Sequence, residues 1–337
     1  TYRLENMIFN KFFILFKIGR KIGKSNIVNI VSETHKIPVF IKIFFNLLAF
    51  SFSSSNNTKS KGKENLSESI QEMGTTFIKL GQFLATRPDI IGEKLSKELE
   101  SLQDKLPPFS KKEAEKIIIE NLGQSNFDDI IDLSEPIAAA SIAQVHKAKI
   151  KEDNIIKNVA IKVLRPNIKK IFNDEIDAIM LLAYIVESLI SKTKRLKLIE
   201  VVFLFKEITN HEMDLRFEAA AANEYAENTK NDLGFFVPKI YWNFTSESVL
   251  TLDWVDGVSI REKDLLKEKN IETSKIATNL IQHFLRHAVR DGFFHADMHQ
   301  GNIFINESSQ IVPIDFGIMG RIDKLSRRYL AEILYGF

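Results

Sequence analysis

The chain has 337 residues, 45% of them apolar, and its 46 basic and 44 acidic side chains leave a formal charge of +2. That length and apolar content belong to a folded protein with two or three cored units rather than to a disordered tail, and the net charge is too small to indicate a nucleic-acid binder. Cysteine is absent, which excludes disulfides, thiolate nucleophiles and cysteine-based zinc sites and fits a reducing compartment.

Basic charge gathers at one end. Residues 1–50 hold eight Lys and Arg against Glu5 and Glu33, a local +6 that leaves −4 for the remainder. Two Phe-rich runs lie here, MIFNKFFILF and PVFIKIFFNLLAF. Both fall short of the ~18 uninterrupted apolar residues of a spanning helix, so they are expected to lie on a membrane rather than cross it. On a helix beginning near Pro38, Lys42 and Asn46 would share a polar stripe while Phe40, Ile41, Phe44, Phe45 and Leu48 cover the rest. The pattern serves a membrane surface and the protein's own core equally well. The chain opens on Thr1 rather than Met, which leaves room for a preceding segment.

The run SFSSSNNTKSKGK has no apolar period and is expected to be a linker over 51–64. Asn65 with Glu68 predicts a helix running to about Thr86, where Arg87-Pro88 ends it. Ser110 with Glu113 opens a further helix, KKEAEKIIIENL, and Gly123 stands just past its end. Residues 65–130 therefore form a helical extension.

From about Glu135 the pattern turns to short β-branched runs, IAAASIAQVHKAKI, NVAIKVL, KIYWNF and SVLTLDWV, spaced like strands of one small antiparallel sheet. Helices over about 168–191 and 198–228 are inserted between them. After Gly257 the chain is expected to be helical to about Asp291, with short strands around NIFI and IVPID. A sheet-rich segment over 131–255 followed by a mostly helical one over 256–337 is the order of a bilobal, α+β kinase-like fold.

The most informative segment is FFHADMHQGNIFI followed by IVPIDFG. Asp297 and Asn302 are five apart, and Asp315 lies thirteen further on, immediately before Phe316-Gly317. Phosphoryl transfer needs a carboxylate near the attacking oxygen and oxygen ligands that hold magnesium against the nucleotide phosphates. Asp297 is the candidate base or substrate-orienting group, and Asn302 and Asp315 are the candidate metal ligands. An isolated Asp-Phe-Gly arises by chance, whereas the ordered combination is specific. Lys162 in VAIKV has the strand context of a phosphate-contacting lysine; an ordinary surface lysine on an edge strand is the alternative. Such a lysine needs a carboxylate from a nearby helix, and Glu218 in MDLRFEAAAANEY is the best candidate.

Three other signals carry less. Gly19 to Ser25, GRKIGKS, is one residue short of a P-loop and follows a Phe-rich helix rather than a strand. His295 and His299 have the spacing of a zinc helix, yet Ala296 stands where a zincin needs Glu, and Gly301 disfavours helix. His146 reads as a structural hydrogen-bonding residue.

Several motifs resemble those of the ABC1/AarF/UbiB/ADCK family of atypical kinase-like proteins, over about residues 70–330. Ala138-Ala139-Ala140-Ser141 is similar to the family's alanine-rich nucleotide loop, which replaces the glycine-rich loop of protein kinases and restricts close phosphate approach. Lys79-Leu80-Gly81-Gln82 matches the KxGQ motif, whose alternative is a solvated polar face with an incidental glycine. Glu212-Met213-Asp214 resembles the ExD motif. HADMHQGN, QDKLPPF, SIAQVHKA and RPNI are most like the bacterial UbiB branch, from which Gln300 departs where Pro is usual.

The resemblance implies a kinase-like fold with a KxGQ helical extension, Lys79, Gln82, Glu212 and Asp214 as regulatory residues around an occluded site, and a large lobe that continues beyond Phe337. It also implies ATP or ADP with Mg2+ as cofactors and Mg-dependent ATPase or small-molecule kinase activity. The setting it implies is ubiquinone biosynthesis at the cytoplasmic face of a bacterial inner membrane, with membrane lipids, ubiquinone precursors and other enzymes of that route as partners. A nucleotide-dependent scaffold or lipid-extracting chaperone that transfers no phosphate is the alternative, since both need the same magnesium-nucleotide site. A conventional protein kinase is disfavoured by the KxGQ helix.

Overall fold

The computed structural model describes residues 14–23, 66–100, 102, 106–189 and 191–336. Most of the two Phe-rich runs, the 51–64 linker and Asn65 lie outside them. The helices are α1 (Leu66–Met73), α2 (Thr75–Ala85), α3 (Pro88–Ile91), α4 (Glu93–Leu99), α5 (Lys111–Leu122), α6 (Gln124–Asp128), α7 (Ile168–Leu189), α8 (Leu198–Glu212), α9 (Leu215–Thr229), α10 (Lys263–Glu268), α11 (Thr273–Arg286) and α12 (Lys324–Gly336), preceded by helical residues 14–23. The strands are β1 (Ile130–Ile131), β2 (Pro136–Ala139), β3 (Ala143–Glu152), β4 (Ile155–Leu164), β5 (Val249–Asp253), β6 (Gly257–Ser259), β7 (Phe293–His295), β8 (Ile303–Asn306), β9 (Ile311–Pro313) and β10 (Met319–Arg321). Contacts divide them into two compact units, one of residues up to 107 with 139–142 and 165–210, the other of 108–138, 143–164 and 211–337.

In the first unit the helix expected to run unbroken to Thr86 is interrupted at Gly74. Its φ of 102° and ψ of −175° form a conformation in which a Cβ is strained, so the sequence places glycine at the break. The two halves meet a common core of Leu66, Ile78, Leu95, Leu99 and Leu102. The second helix stops before Pro88, as the sequence predicts, and Pro88 opens α3, where its missing N–H costs nothing. Ile18 of the helical residues 14–23 packs with Met73, Phe77 and Ala178, and Ile14 and Leu15 at the end of the first Phe-rich run pack against that cluster, so this part of the run faces the protein's own core. Helices α7 and α8, expected as insertions in the 131–255 segment, also belong here: Phe205 stacks on Phe172 and on Phe83, with ring centroids 5.8 and 5.5 Å away.

In the second unit five strands form one sheet, β1-β3-β4-β5 in antiparallel order with β2 beside β3. Ile150, Val159, Ile161, Val163 and Val249 turn one face of it onto Ile118 of α5, together with Tyr241 and Phe244. Helix α5 begins as predicted, with the Ser110 hydroxyl accepting from the Glu113 N–H and the Glu113 carboxylate accepting from the Ser110 N–H.

KIYWNF is not the strand its β-branched and aromatic residues suggest. It makes a single bridge, Ile240 to Leu252, and then a short 3-10 turn over Trp242–Phe244. That turn drops Tyr241 and Phe244 into the core, while the Tyr241 hydroxyl donates to Asp253 at 2.6 Å. The helix expected from 198 to 228 is broken at Met213-Asp214 into α8 and α9. The segment after Gly257 is likewise not continuously helical: β6 joins β8 and β9 in a second sheet, and β7 pairs with β10 in a third. The strands NIFI and IVPID are present as β8 and β9.

Candidate functional site

Lys162 stands on β4, which is paired on both sides, opposite Val145 of β3 and Leu250 of β5. The edge-strand alternative is thereby removed, and the side chain is only 17% exposed. Its Nζ donates to both carboxylate oxygens of Glu218 at 2.9 Å and lies 3.5 Å from Oδ2 of Asp315. Glu218 reaches the lysine because α9 starts one turn earlier. Asp214 is the N-cap, its carboxylate accepting from the Arg216 N–H at 3.1 Å and pairing with the Arg216 guanidinium at 2.7 Å. Glu218 also accepts from the Phe316 N–H at 3.4 Å, so one carboxylate fixes both the lysine and the backbone beside Asp315.

Burial alone would lower the Lys162 ammonium, but the charges of Asp315 and Glu218 outweigh it and hold the group well above its usual range. Burial pushes the Glu218 carboxyl up to about 6; the Lys162 charge opposes that rise and Asp315 adds to it. The lysine thus stays charged at any ordinary pH, and Glu218 is the member of the pair that titrates.

The second half of the site is organised by His295, 1% exposed at the end of β7. Its Nε2 lies 2.6 Å from the carbonyl oxygen of Asp315, so this nitrogen carries the proton and donates. Its Nδ1 then accepts from the Asp297 N–H at 3.1 Å. Burial lowers the imidazole below its ordinary range, which keeps it in that neutral tautomer. One ring therefore ties the Asp297 loop to the Asp315 turn.

Across the base of the β8–β9 hairpin, the Ile314 N–H donates to the Asn302 carbonyl at 3.0 Å. The Asn302 amide donates to Asp297 Oδ2 at 3.4 Å, and the Gly317 N–H to Asp315 Oδ1 at 3.0 Å. Asp297 and Asp315 are partly exposed, with 40% and 43% of their side-chain surfaces accessible. Two carboxylates and an amide at one open end of buried strands can present oxygen ligands to a hard divalent cation.

The alanine-rich segment begins in β2 with Ala138 and Ala139 and continues through Ala140 and Ser141 into the turn before β3. Within the first unit the Ala140 carbonyl accepts from Arg165 Nη2 at 2.7 Å, and Arg165 also reaches the Pro107 carbonyl at 2.9 Å. The Thr75 hydroxyl donates to the Ser141 carbonyl at 3.3 Å. Arg165 is a structural contributor that the sequence analysis did not single out, although it opens the RPNI string. Lys79 and Gln82 project from α2, both partly buried, and between them Gly81 is close-packed: a Cβ there would lie 2.5 Å from Leu102 Cδ1. That burial does not suit a merely solvated polar face. Glu212 is the last residue of α8, two before the Asp214 cap.

Residues 19–23 of the P-loop-like string are helical, and Lys21 donates to the Met73 carbonyl at 2.9 Å. His295 and His299 do not share a helix. His146 spends both ring nitrogens on Ser134 and Gln144.

A lysine fixed from a helix by glutamate and set beside the Asp of an Asp-Phe-Gly turn, on an α+β frame, defines a kinase-like protein. The chain belongs to the ABC1 atypical kinase-like family, whose domain matches residues 101–337. It is 35% identical over 90% of its length to a Marinobacter nauticus protein named "Probable protein kinase UbiB", of which it covers 55%. Proteins of the same name from Pseudomonas paraeruginosa and Tolumonas auensis are 31% and 36% identical over 96% and 81% of this chain, which covers 61% and 50% of them. The chain thus spans little more than half the length of these relatives. Among solved structures it is similar to a chain of the Rv3197–erythromycin complex from Mycobacterium tuberculosis, with a TM-score of 0.55, 24% identity, and coverage of 77% of this chain and 66% of that one. Among the described residues no helix is long and apolar enough to cross a membrane.

Proposed function

We propose that the chain binds ATP or ADP with Mg2+ and acts as an ATPase or small-molecule kinase that supports ubiquinone biosynthesis at a membrane. The observation that carries the nucleotide part is Lys162, held by both oxygens of Glu218 and 3.5 Å from Asp315 on a centrally paired strand. In this reading Asp315 and Asn302 hold the metal, and Lys162 meets the phosphate oxygens. Ala138, Ala139, Ala140 and Ser141 form the nucleotide loop, and Asp297 orients the attacking oxygen. The donor set fits such a group: all the ligand atoms are oxygens, and both aspartates reach solvent. A bound magnesium ion would supply charge neutralisation at the phosphates.

The chain's own residues supply position. Glu218 holds the lysine extended, neutral His295 fixes the Asp297 loop against the Asp315 turn, and Asp214 anchors the helix that carries Glu218. Lys79, Gln82, Glu212 and Asp214 act as family regulatory residues, as the resemblance implies. The ubiquinone setting follows from relatives named UbiB. Membrane lipids, ubiquinone precursors and other enzymes of that route are its proposed partners, met at the cytoplasmic face of a bacterial inner membrane through residues 1–50 or segments outside this chain.

The test is phosphate release and product analysis with and without anionic liposomes. Wild type should hydrolyse Mg-ATP, Asp315→Asn and Lys162→Ala should lose turnover, and equal turnover in all three would refute the assignment. Turnover without a phosphorylated product would favour the ATPase over the kinase. A chain lacking residues 1–50 should float less with liposomes; unchanged flotation would remove the membrane role of that segment.

A further inference from the structure

Apart from the Asp297–Asp315 region, the second unit contains a buried cluster on which the proposed chemistry makes no demand. Asp232 lies in the turn after α9, His283 in the last turn of α11, and His287 at the start of the π-helical turn His287–Asp291. One ligand atom from each of the three lies within 4.8 Å of the other two. The imidazoles are 4% and 0% exposed. Their spacing of four residues puts them on one helix face, the arrangement by which a helix supplies two imidazole ligands.

Three features point to a ligand and not only to packing. His283 Nδ1 is buried and makes no hydrogen bond, which leaves one nitrogen of a nearly inaccessible ring without a partner. His287 Nε2 lies 2.9 Å from Asp232 Oδ2, so a shift of about 0.4–0.7 Å would bring the two atoms to the roughly 3.3–3.6 Å separation of neighbouring ligands on a tetrahedral ion with bonds of about 2.0–2.2 Å. Outer partners are also in place. The Tyr225 hydroxyl lies 2.7 Å from His287 Nδ1, and Arg290 grips the same aspartate, with Nη1 2.6 Å from Oδ1. We propose that Asp232, His283 and His287 form a second metal site, for a divalent first-row transition ion such as zinc, distinct in ligand chemistry from the all-oxygen magnesium site.

Binding requires one proton to move. In the metal-free cluster His287 Nε2–H donates to Asp232 and Nδ1 accepts from Tyr225. On ligation Nε2 gives its lone pair to the ion, the proton resides on Nδ1, and the Tyr225 oxygen accepts it. Burial lowers both imidazoles below their ordinary range, so neither has to shed an extra proton. Burial also works against the Asp232 charge, but hydrogen bonds from Arg290 and His287 outweigh it and keep the carboxylate ionised. Arg290 is the charged neighbour an ion would have to tolerate: its Nη1 bonds Oδ1 at 2.6 Å and its Nη2 bonds Oδ2 at 2.9 Å, so Oδ2 is shared between Arg290 and His287 and an ion would take the place of the Nη2 bond. Two imidazoles and one carboxylate favour zinc, cobalt or iron over magnesium. Because Tyr225 lies two turns beyond Glu218 on α9, an ion here would brace the helix that carries Glu218.

The test is cobalt titration of the full chain in excess Mg2+, read by visible d–d absorption and by metal analysis. Wild type should bind one equivalent with a low-coordinate nitrogen-ligand spectrum. Asp315→Asn should keep that equivalent, which separates this site from the nucleotide site, whereas His283→Ala and Asp232→Asn should lose it. X-ray absorption on the zinc-loaded wild type, which needs no variant to fold, should show two imidazoles. The absence of a bound equivalent, an all-oxygen shell, or an unchanged spectrum in His283→Ala would overturn the proposal and leave a purely hydrogen-bonded cluster.

Discussion

Replacing Glu218 by Gln leaves Lys162 buried with only Asp315, 3.5 Å away, as counter-charge. The lysine then loses the bidentate clamp that holds its ammonium in place, so Glu218→Gln should weaken nucleotide binding at neutral pH, measurable by titration of a fluorescent ADP analogue. The same carboxyl sets the pH response of the site. Burial raises it to about 6, so as pH falls through 6 it takes up a proton and releases its hold on Lys162. Nucleotide affinity of the wild type should therefore decline below pH 6, and Glu218→Gln should lack that step. The linkage to stability has the opposite sign to that of an ordinary paired carboxylate. The folded protein binds this proton more tightly than the unfolded chain, so this group favours folding more as pH drops from about 6 toward the unfolded value near 4.5.

Among the elements, the interruption between α1 and α2 depends on one residue. Gly74 has open space around a would-be Cβ, so the cost of Gly74→Ala is backbone strain alone, about 1–3 kcal/mol, measurable as a lowered unfolding midpoint without loss of helix content. Ser110→Ala should cost about 1 kcal/mol through loss of the capping box on α5. That cap was legible in the sequence because its signal is local, a hydroxyl and a carboxylate three residues apart. The break at Gly74 was not, because apolar residues continue at helical spacing on both sides and the glycine reads as a tolerated interior one. KIYWNF misled for a related reason: its aromatic residues suit a strand as well as a 3-10 turn, and only the core position of Tyr241 and Phe244 decides between them. The three-residue strands β6, β7 and β10 are too short to show a period of two.

At the scale of the whole chain, the Asp297–Asp315 half of the candidate site was the most legible part because the spacing from Asp297 through Asn302 to Asp315 is carried around one hairpin. The sequence could suggest that Glu218 meets Lys162 but could not fix it, since the two lie 56 positions apart, and the structure brings them to 2.9 Å. Arg165 escaped notice because its work, holding the Ala140 carbonyl, is a side-chain contact with backbone that leaves no pattern in the sequence. The account as a whole rests on a magnesium-dependent nucleotide site built around Lys162 and Asp315. Its most direct test is titration of a fluorescent ADP analogue with and without Mg2+. Wild type should bind with an affinity that Mg2+ increases, Lys162→Ala should bind weakly under both conditions, and Asp315→Asn should lose the Mg2+ response. Identical isotherms for all three proteins would contradict it.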